Sequence, residues 1–321
     1  MKRVGIALAG LLLALSLASC DQKEPGHGKA GKPRIALVMK SLANEFFKTM
    51  EDGARAHQKE HAGQYELITN GIKDERDVAK QINLVEEMIA QGVDAIVIAP
   101  ADSKAMVGVC KRAMDAGIVV VNIDNKFDKD ALAEKAVAIP FVGPDNRKGA
   151  RLAGDFLAKH LQKGDKVAIV EGIPNAINGI LRKQGFEDAA KAAGLEIATS
   201  QTAYWETEKA ENVVSAMITQ HPDLKGVMCA NDSMALGAVA ALKAAGKLDD
   251  VLVVGFDNIT AIQQLMREGK VLCTVDQHAD QIAVYGILYA LDILADKAPP
   301  KDKETPVDLI TVKELPAAET K

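Results

Sequence analysis

From Pro33 onward the chain alternates short apolar runs with longer segments of mixed polarity. The apolar runs occupy positions 35–39, 95–98, 118–121, 167–170, 226–229, 251–254 and 271–275. Their hydrophobicity is continuous rather than alternating, which indicates strands that are covered on both faces. The pattern is therefore typical of an α/β fold in which parallel sheets lie between helices.

The segments between the apolar runs have the periodicity of helices. In one of them the apolar positions recur at spacings of four, three and four, at Val78, Ile82, Val85 and Ile89. This spacing places the four side chains on one face of a helix. A glycine, Gly92, follows at a point where helices commonly end. The pattern predicts a helix over residues 77–91.

The alternation of strand and helix patterns occurs twice, from about residue 34 to 135 and from about 146 to 276. Two such series predict two open α/β units, or lobes. A last helix over about 278–295 and a strand around 307–312 are expected to return the chain across both lobes. We therefore expect an N-terminal lobe of residues 34–144 plus 278–305, and a C-terminal lobe of residues 145–277 plus 306–316.

The N-terminus has the pattern of an export signal. Lys2 and Arg3 precede an apolar stretch over residues 4–18, which is too short for a comfortable membrane span but suits a secretory signal. Residues 17–20, Leu-Ala-Ser-Cys, resemble the lipobox of bacterial lipoproteins, which implies a signal peptide over 1–20 and a lipid anchor on Cys20. A plain secretory signal with an incidental cysteine is the alternative. Residues 21–33 are expected to form a flexible tether.

The charge and the cysteine content of this chain argue against nucleic acid and zinc as its partners. The 39 Lys and Arg residues against 44 Asp and Glu give a net charge of −5, so the chain lacks the positive field that nucleic-acid binding uses. Cys20, Cys110, Cys229 and Cys273 form no CxxC pair, so no zinc site is predicted. With Cys20 lipidated, an odd number remains, and at least one thiol is expected to be free. Whether Cys229 and Cys273 form a disulfide is left open.

Polar residues terminate most of the apolar runs. In open parallel sheets, ligands bind beyond the carboxyl ends of the strands. The polar residues at those ends are Lys40, Asn122, Asp124, Glu171, Asn231, Asp232, Asp257, Asp276 and Gln277. Capping of the following helix is the alternative role for each of them. Two lobes that face each other would nevertheless bring these ends into one cleft.

The chemistry at these strand ends suits a polyol. Carboxylates and amides bind neighbouring hydroxyls, and a guanidinium adds a planar set of donors. Aromatic residues make up only 4% of the chain, yet Phe46 and Phe47 follow the first predicted strand and the single tryptophan, Trp205, lies in a predicted loop. A flat ring can cover the C–H face of a sugar. Core packing is the alternative role for each of these rings.

The sequence resembles a known family, the periplasmic sugar-binding proteins of the ribose, allose and galactose group. The resemblance covers residue 34 to the C-terminus, and its motifs are IALVMKSLANEFF (35–47), VNID (121–124), FVGPDN (141–146), CANDSMALG (229–237), VVGFD (253–257) and Asp276-Gln277. It implies a type I periplasmic binding protein, with two Rossmann-like parallel-sheet lobes. It also implies three hinge segments, near residues 143–146, 276–278 and 304–307.

The resemblance also implies ligand-binding roles for individual residues. In the first lobe these are Asn44, Phe46, Phe47 and Asp124; in the second they are Arg182, Trp205, Asn231 and Asp257, with Gln277 beside the hinge. Two further positions depart from the ribose binders, because Asn125 stands where they have an arginine and Lys40 where they have a small hydroxyl residue. We nevertheless expect both residues to bind the ligand. At Lys40 the sequence looks more like the allose binders, and the identity of the pentose or hexose stays open.

The function that the resemblance implies is capture of a monosaccharide and its delivery to the permease of an ABC transporter. We expect an exported, membrane-anchored monomer at the periplasmic or cell surface, with no cofactor, metal or catalytic residue. A sensor that presents a sugar to a membrane receptor is an open alternative. A sugar-active enzyme is less favoured, because the sequence lacks a GxSxG elbow and a P-loop. A repressor would need a basic helix-turn-helix where this chain has its export signal.

Overall fold

The computed structural model describes residues 31–297 and 299–316. The predicted signal peptide, the lipidation site Cys20 and the tether up to residue 30 lie outside the described residues. Within the described part of the chain, no helix combines the length and the apolarity needed to cross a membrane.

A six-stranded parallel sheet organises the first lobe. Its strands are β1 (Arg34–Ser41), β2 (Glu66–Ile72), β3 (Ala95–Ile98), β4 (Val119–Ile123), β5 (Phe141–Pro144) and β11 (Lys303–Thr305). The strand order is β11-β5-β4-β3-β1-β2. The helices of this lobe are α1 (Glu45–Glu60), α2 (Val78–Gln91), α3 (Val107–Asp115), α4 (Lys129–Glu134) and α10 (Ala279–Leu294).

A four-stranded parallel sheet organises the second lobe. Its strands are β6 (Lys166–Glu171), β7 (Glu196–Thr202), β8 (Leu224–Cys229) and β9 (Leu252–Val254), in the order β7-β6-β8-β9. Beside it, β10 (Thr274–Asp276) pairs antiparallel with β12 (Asp308–Ile310). The helices are α5 (Asn146–Ala158), α6 (Ile177–Ala193), α7 (Thr207–Gln220), α8 (Asp232–Ala244) and α9 (Thr260–Arg267). These two sheets confirm the predicted α/β architecture of two lobes.

The continuous hydrophobicity of the strands has a direct structural cause. In β1, Ile35, Leu37 and Met39 pack on the face that carries α1 and α10, whereas Ala36 and Val38 pack on the face that carries α2 and α3. All five are fully buried. Because successive strand residues point to opposite faces, a strand between two helical layers must be apolar at every position.

The helix predicted over 77–91 is confirmed as α2. The carboxylate of Asp77 caps it by accepting a hydrogen bond from the Lys80 N–H at 2.9 Å. Gly92 ends it in the left-handed conformation, with φ 63°.

The structure also shows whether the cysteines within the described residues are free or disulfide-bonded. Cys110, Cys229 and Cys273 are buried free thiols. Strand β9 lies between β8, which carries Cys229, and the segment of Cys273, which bridges to Val254. Two strand spacings amount to about 9–10 Å, whereas the Cα atoms of a disulfide lie within about 7 Å. The disulfide that the sequence left open is therefore absent.

The chain passes between the two sheets at three places. These lie between β5 and α5, between β10 and α10, and between β11 and β12. The residue boundaries of the lobes stay a prediction. The crossings matter for the site, because they place the carboxyl ends of strands from both sheets opposite each other.

Candidate functional site

A cavity with about 230 Å³ of empty space lies where the two lobes meet, and we call it the central cavity. Its lining combines charged, amide and aromatic side chains: Lys40, Asn44, Phe46, Phe47, Glu75, Asp124, Asn178, Arg182, Trp205, Asn231, Asp257 and Gln277. The structure thus brings together every residue predicted for the site except Asn125. It adds Glu75 and Asn178, which the sequence reasoning missed.

The first-lobe wall is built around a buried cation, Lys40, at the end of β1. Its Nζ lies 3.0 Å from Asp124 Oδ2 and 3.4 Å from Glu75 Oε2, and all three side chains are at least 90% buried. Burial alone would lower the pKa of Lys40, but the charges of Asp124 and Glu75 outweigh it and raise that pKa. Burial raises the pKa of Glu75, against the opposing effect of Lys40. Lys40 therefore stays charged in the cavity.

The second-lobe wall is built around a buried guanidinium, Arg182, on α6. Its Nε donates to Asn146 Oδ1 at 2.7 Å, and its Nη1 lies 3.5 Å from Asp257 Oδ1. The guanidinium also stacks on the Phe256 ring, 3.7 Å from the centroid. Gln277 Nε2 donates to Asp257 Oδ1 at 2.7 Å. These contacts hold Arg182 and Asp257 in place in the second-lobe wall.

Several polar atoms of the cavity are buried without a hydrogen-bond partner among the described residues. Among them are two donors, Arg182 Nη2 and Trp205 Nε1, and one acceptor, Gln277 Oε1. Buried polar groups in proteins are almost always hydrogen-bonded, so unpaired groups at one place need an explanation. Their presence in one cavity suits a small ligand that carries both donors and acceptors.

Two acidic residues of the cavity lie at unusual backbone positions. Asp124 has φ 59° and Asp257 has φ 126°, a region that residues other than glycine rarely adopt. The loop of Asp257 is held by Asp232, whose Oδ2 accepts from the Ile259 N–H at 3.0 Å and whose Oδ1 accepts from Thr274 Oγ1 at 2.8 Å. Such strain persists only where the surrounding structure enforces it, and it is typical of functional sites.

Aromatic rings supply the apolar walls. Trp205 lies in the loop between β7 and α7 and is 6% exposed. A Cβ on Gly172 would come within 2.0 Å of its ring, so only glycine allows the ring to lie where it does. Across the cavity, the rings of Phe46 and Phe47 contact edge to face, with centroids 5.0 Å apart. A flat ligand would lie between these walls.

Asn125 is the one predicted site residue that does not line the central cavity. Its side chain is fully buried, donates to the Pro100 carbonyl at 2.9 Å and accepts from the Asn178 N–H at 3.1 Å. The cause is the left-handed backbone of Asp124, which turns the chain so that Asp124 faces the cavity and Asn125 faces the loop after β3. The residue contacts the opposite lobe instead.

The two residues that the sequence reasoning missed have weak sequence signals. Glu75 follows β2, an edge strand that carries no continuous apolar run. Asn178 lies in the first turn of α6 rather than at a strand end. A search that included polar residues after a half-buried strand would have found Glu75.

The arrangement supports recognition by hydrogen bonds. Within the described residues, no group of three or more His, Cys, Asp or Glu side chains is placed to hold a metal ion. Lys40 pairs with two carboxylates of the first-lobe wall at 3.0 and 3.4 Å, and Arg182 pairs with one carboxylate of the second-lobe wall at 3.5 Å. The pairing orients these charged groups toward one small volume, where bidentate contacts to neighbouring hydroxyls can form.

Known proteins resemble this chain over nearly its whole length. A D-ribose/D-allose-binding protein of Pseudomonas aeruginosa is 56% identical over 97% of this chain and 99% of its own length. A solute-binding protein of an ABC transporter from Burkholderia multivorans, with an unknown ligand represented as α-D-erythrofuranose, is 56% identical, with a TM-score of 0.86 over 88% of this chain and 100% of its own. A periplasmic solute-binding protein of an ABC transporter from Actinobacillus succinogenes with bound D-allose is 36% identical, with a TM-score of 0.84. The match covers 88% of this chain and 99% of that protein's chain.

The family itself is shown by a match that covers most of the chain. Residues 35–298 match the family model of the periplasmic binding protein domain. This span includes the second-lobe parallel sheet, the first-lobe sheet apart from β11 and the first residue of β1, and every residue that lines the central cavity. The chain therefore belongs to the periplasmic binding protein family.

Proposed function

We propose that this chain binds a monosaccharide, a pentose or a hexose, in the central cavity and delivers it to the membrane permease of an ABC transporter. The observation that carries the proposal is the lining of that cavity, in which both lobes contribute fixed charged and amide groups between aromatic walls. The ligands named for the similar proteins support the same class of ligand.

Each type of side chain in the cavity would bind a different part of the sugar. Asp124 and Asp257 accept hydrogen bonds from sugar hydroxyls, and Arg182 and Lys40 donate to hydroxyl or ring oxygens. Phe47 and Trp205 cover the apolar faces of the ring. Because both lobes contact one small molecule, the sugar stabilises the closed arrangement and shifts the population toward it. The hinge segments near 143–146, 276–278 and 304–307 would absorb the motion.

We also propose that the exported chain is anchored to a membrane. A lipid on Cys20 would anchor the exported chain to a membrane, and the tether would let a monomer reach the permease. The proteins named above are binding proteins, and we expect the sugar to leave the cavity unchanged.

A thermal-shift screen tests the proposed function directly. The chain without residues 1–20 is heated with pentoses, hexoses, inositols and furanose sugars, including D-ribose and D-allose. A ligand that binds only the folded state must raise the melting temperature. At about 100 times Kd the gain is about 2.7 kcal/mol, which predicts a rise of about 3–10 °C. Sucrose and maltose serve as controls, because a disaccharide should not fit.

Two results would contradict the proposal. If no monosaccharide raises the melting temperature, the central cavity does not bind a sugar. If nuclear magnetic resonance of the incubated sugar shows a product, the chain is an enzyme rather than a binding protein.

Sugar affinity is expected to fall as the pH is lowered. Burial raises the pKa of Asp257 well above its ordinary value, although Arg182 opposes the shift. Protonation removes a charged acceptor, so binding at low pH must release a proton, and affinity rises with pH until Asp257 is ionised. The fall begins at the pKa that Asp257 has before the sugar binds. Calorimetric titrations between about pH 4.5 and 8 measure it; an affinity that rises toward low pH would show that Asp257 binds sugar as the neutral acid.

A further inference from the structure

Helix α6 begins without a cap of its own. Ala176 occupies the N-cap position and makes no side-chain cap bond. Within the first turn, as the structure describes it, only the Gly179 N–H has a side-chain acceptor from the helix itself, Asn178 Oδ1 at 2.9 Å. The Ile177 N–H donates instead to Ser103 Oγ at 3.0 Å, and the Asn178 N–H donates to Asn125 Oδ1 at 3.1 Å. Ser103 follows β3 and Asn125 follows β4, so both acceptors belong to the first lobe, whereas α6 belongs to the second. The helix is capped across the cleft, and we call this pair of hydrogen bonds the cross-lobe cap.

The acceptors of the cross-lobe cap are fixed within the first lobe. Asn125 Nδ2 donates to the Pro100 carbonyl at 2.9 Å, and Ser103 Oγ donates to Asn125 Oδ1 at 3.2 Å. Ser103 is 1% exposed and Asn125 is fully buried. These acceptors therefore need no rearrangement to receive the helix, which lowers the entropy that closure must overcome.

Further contacts surround the cross-lobe cap. Asn175, just before α6, donates from Nδ2 to Asp102 Oδ2, and the Ser103 N–H donates to the Asn175 carbonyl at 3.5 Å. Asp102 also holds its own loop, because its Oδ1 accepts from the N–H groups of Lys104 and Ala105. The start of α6 thus contacts a preformed group of first-lobe acceptors.

The same helix carries residues of the central cavity. Asn178 and Arg182 are four residues apart on α6, on one face of the helix, and both line the cavity. Capping the start of α6 therefore fixes the element that brings Arg182 to Asp257. Contact between the lobes and contact with a ligand are coupled through one rigid helix.

We propose that Ser103 and Asn125 determine sugar affinity without touching the sugar, because they stabilise the closed lobes by capping α6. The inference rests on the proposed function, in which the lobes open to admit and release the ligand. In an open arrangement the helix start is uncapped and its N–H groups bond only to water. Loss of an N-cap side chain corresponds to about a 2- to 30-fold change in an equilibrium constant. The effect should appear mainly in the rate of sugar dissociation, since the cap forms only on closure.

The test compares variants on both sides of the cross-lobe cap. In Ser103→Ala the Ile177 N–H loses its acceptor, whereas Ser103→Thr keeps the hydroxyl. Asn175→Ala removes a contact from an exposed side chain and should not impair folding. Asp77→Ala is the matched control, because Asp77 caps α2 within a single lobe. Dissociation of D-allose, with D-ribose as a second probe, is followed by the fluorescence of the single tryptophan, Trp205.

The expected results separate a role in closure from a merely structural one. Ser103→Ala and Asn175→Ala should dissociate about 2- to 30-fold faster than the wild type, with little change in the association rate or in the melting temperature without sugar. Ser103→Thr should restore most of the wild-type rate. Asp77→Ala should lower the melting temperature but leave dissociation unchanged.

Two outcomes would overturn the inference, and they differ from each other. If the wild type binds sugar but Ser103→Ala dissociates at the wild-type rate, the cross-lobe cap does not stabilise closure and the proposed function stands. If the wild type binds neither D-allose, D-ribose nor another sugar of the screen, the proposed function fails and the inference fails with it.

Discussion

Substitution of Asp257 by asparagine is expected to abolish the sugar-induced rise in melting temperature while the protein stays folded. Asparagine keeps the size of the side chain and an oxygen for Gln277, but it removes the charge that faces Arg182. Truncation of one partner in a buried charge pair weakens binding by about 2–5 kcal/mol, which is about 30- to 4,000-fold in Kd. Isothermal titration with D-allose and D-ribose measures the loss.

An alanine at the same position is expected to abolish binding as well, but it is the poorer test. It leaves a void beside Arg182 and an unpaired buried charge, so a loss of stability would accompany the loss of binding. The matched control is Asp188→Asn, because Asp188 pairs with Arg147 at 2.7 Å on the exposed surface. Exposed pairs contribute about 0–1 kcal/mol, and sugar affinity should not change. Wild-type affinity in Asp257→Asn would place the ligand away from Asp257.

The sequence predicts the architecture because burial on both faces leaves a readable pattern. Strands β1, β3 and β6 lie inside their sheets, and each has a run of fully buried apolar residues. Helix α2 has an equally local signal, since its cap, its apolar face and its terminal glycine all lie within the helix segment. Such signals depend only on residues that are close along the chain, so a single sequence is enough to predict these elements.

Two of the edge strands lack this signal. Strands β2 and β7 lie at sheet edges, and most of their residues are partly exposed, so their sequences contain Thr, Asn, Ser and Gln. Without β2 as a strand, Glu75 could not be placed at the carboxyl end of the sheet. The missed site residue therefore follows from the missed strand rather than from an unusual chemistry.

Asn125 shows a different limit of sequence reasoning. Its neighbour Asp124 faces the central cavity. The resemblance to the ribose binders, which have an arginine at the next position, implied the same for Asn125. The φ of 59° at Asp124 separates the two side chains, and no local pattern predicts a left-handed aspartate. The residue that was expected to bind sugar instead accepts from the Asn178 N–H of the opposite lobe. Affinity can thus depend on Asn125 although it does not line the cavity.

Substitution of Trp205 by alanine is expected to weaken sugar binding by at least about 2 kcal/mol, or about 30-fold, as for a central aromatic contact in a binding site. The ring forms one wall of the central cavity, between Lys40 and Arg182, whose charged groups lie 6.0 Å and 5.6 Å from its centroid. Trp205→Phe keeps an aromatic face but loses the unpaired Nε1 donor, so its Kd should rise less than about tenfold. Calorimetry measures both variants, since neither retains a tryptophan.

A glycine substitution tests the same wall without removing the ring. In Gly172→Ala the added Cβ would lie within 2.0 Å of Trp205 and displace it, so sugar binding should weaken about as much as in Trp205→Ala. Gly108→Ala is the matched control, because a Cβ there meets only the end of the Arg112 side chain at 4.0 Å. Wild-type binding in both Trp205→Ala and Gly172→Ala would mean that the tryptophan is packed core rather than a wall for the sugar. Loss in Trp205→Ala alone would mean that the loop absorbs the added methyl group and keeps the ring against the ligand.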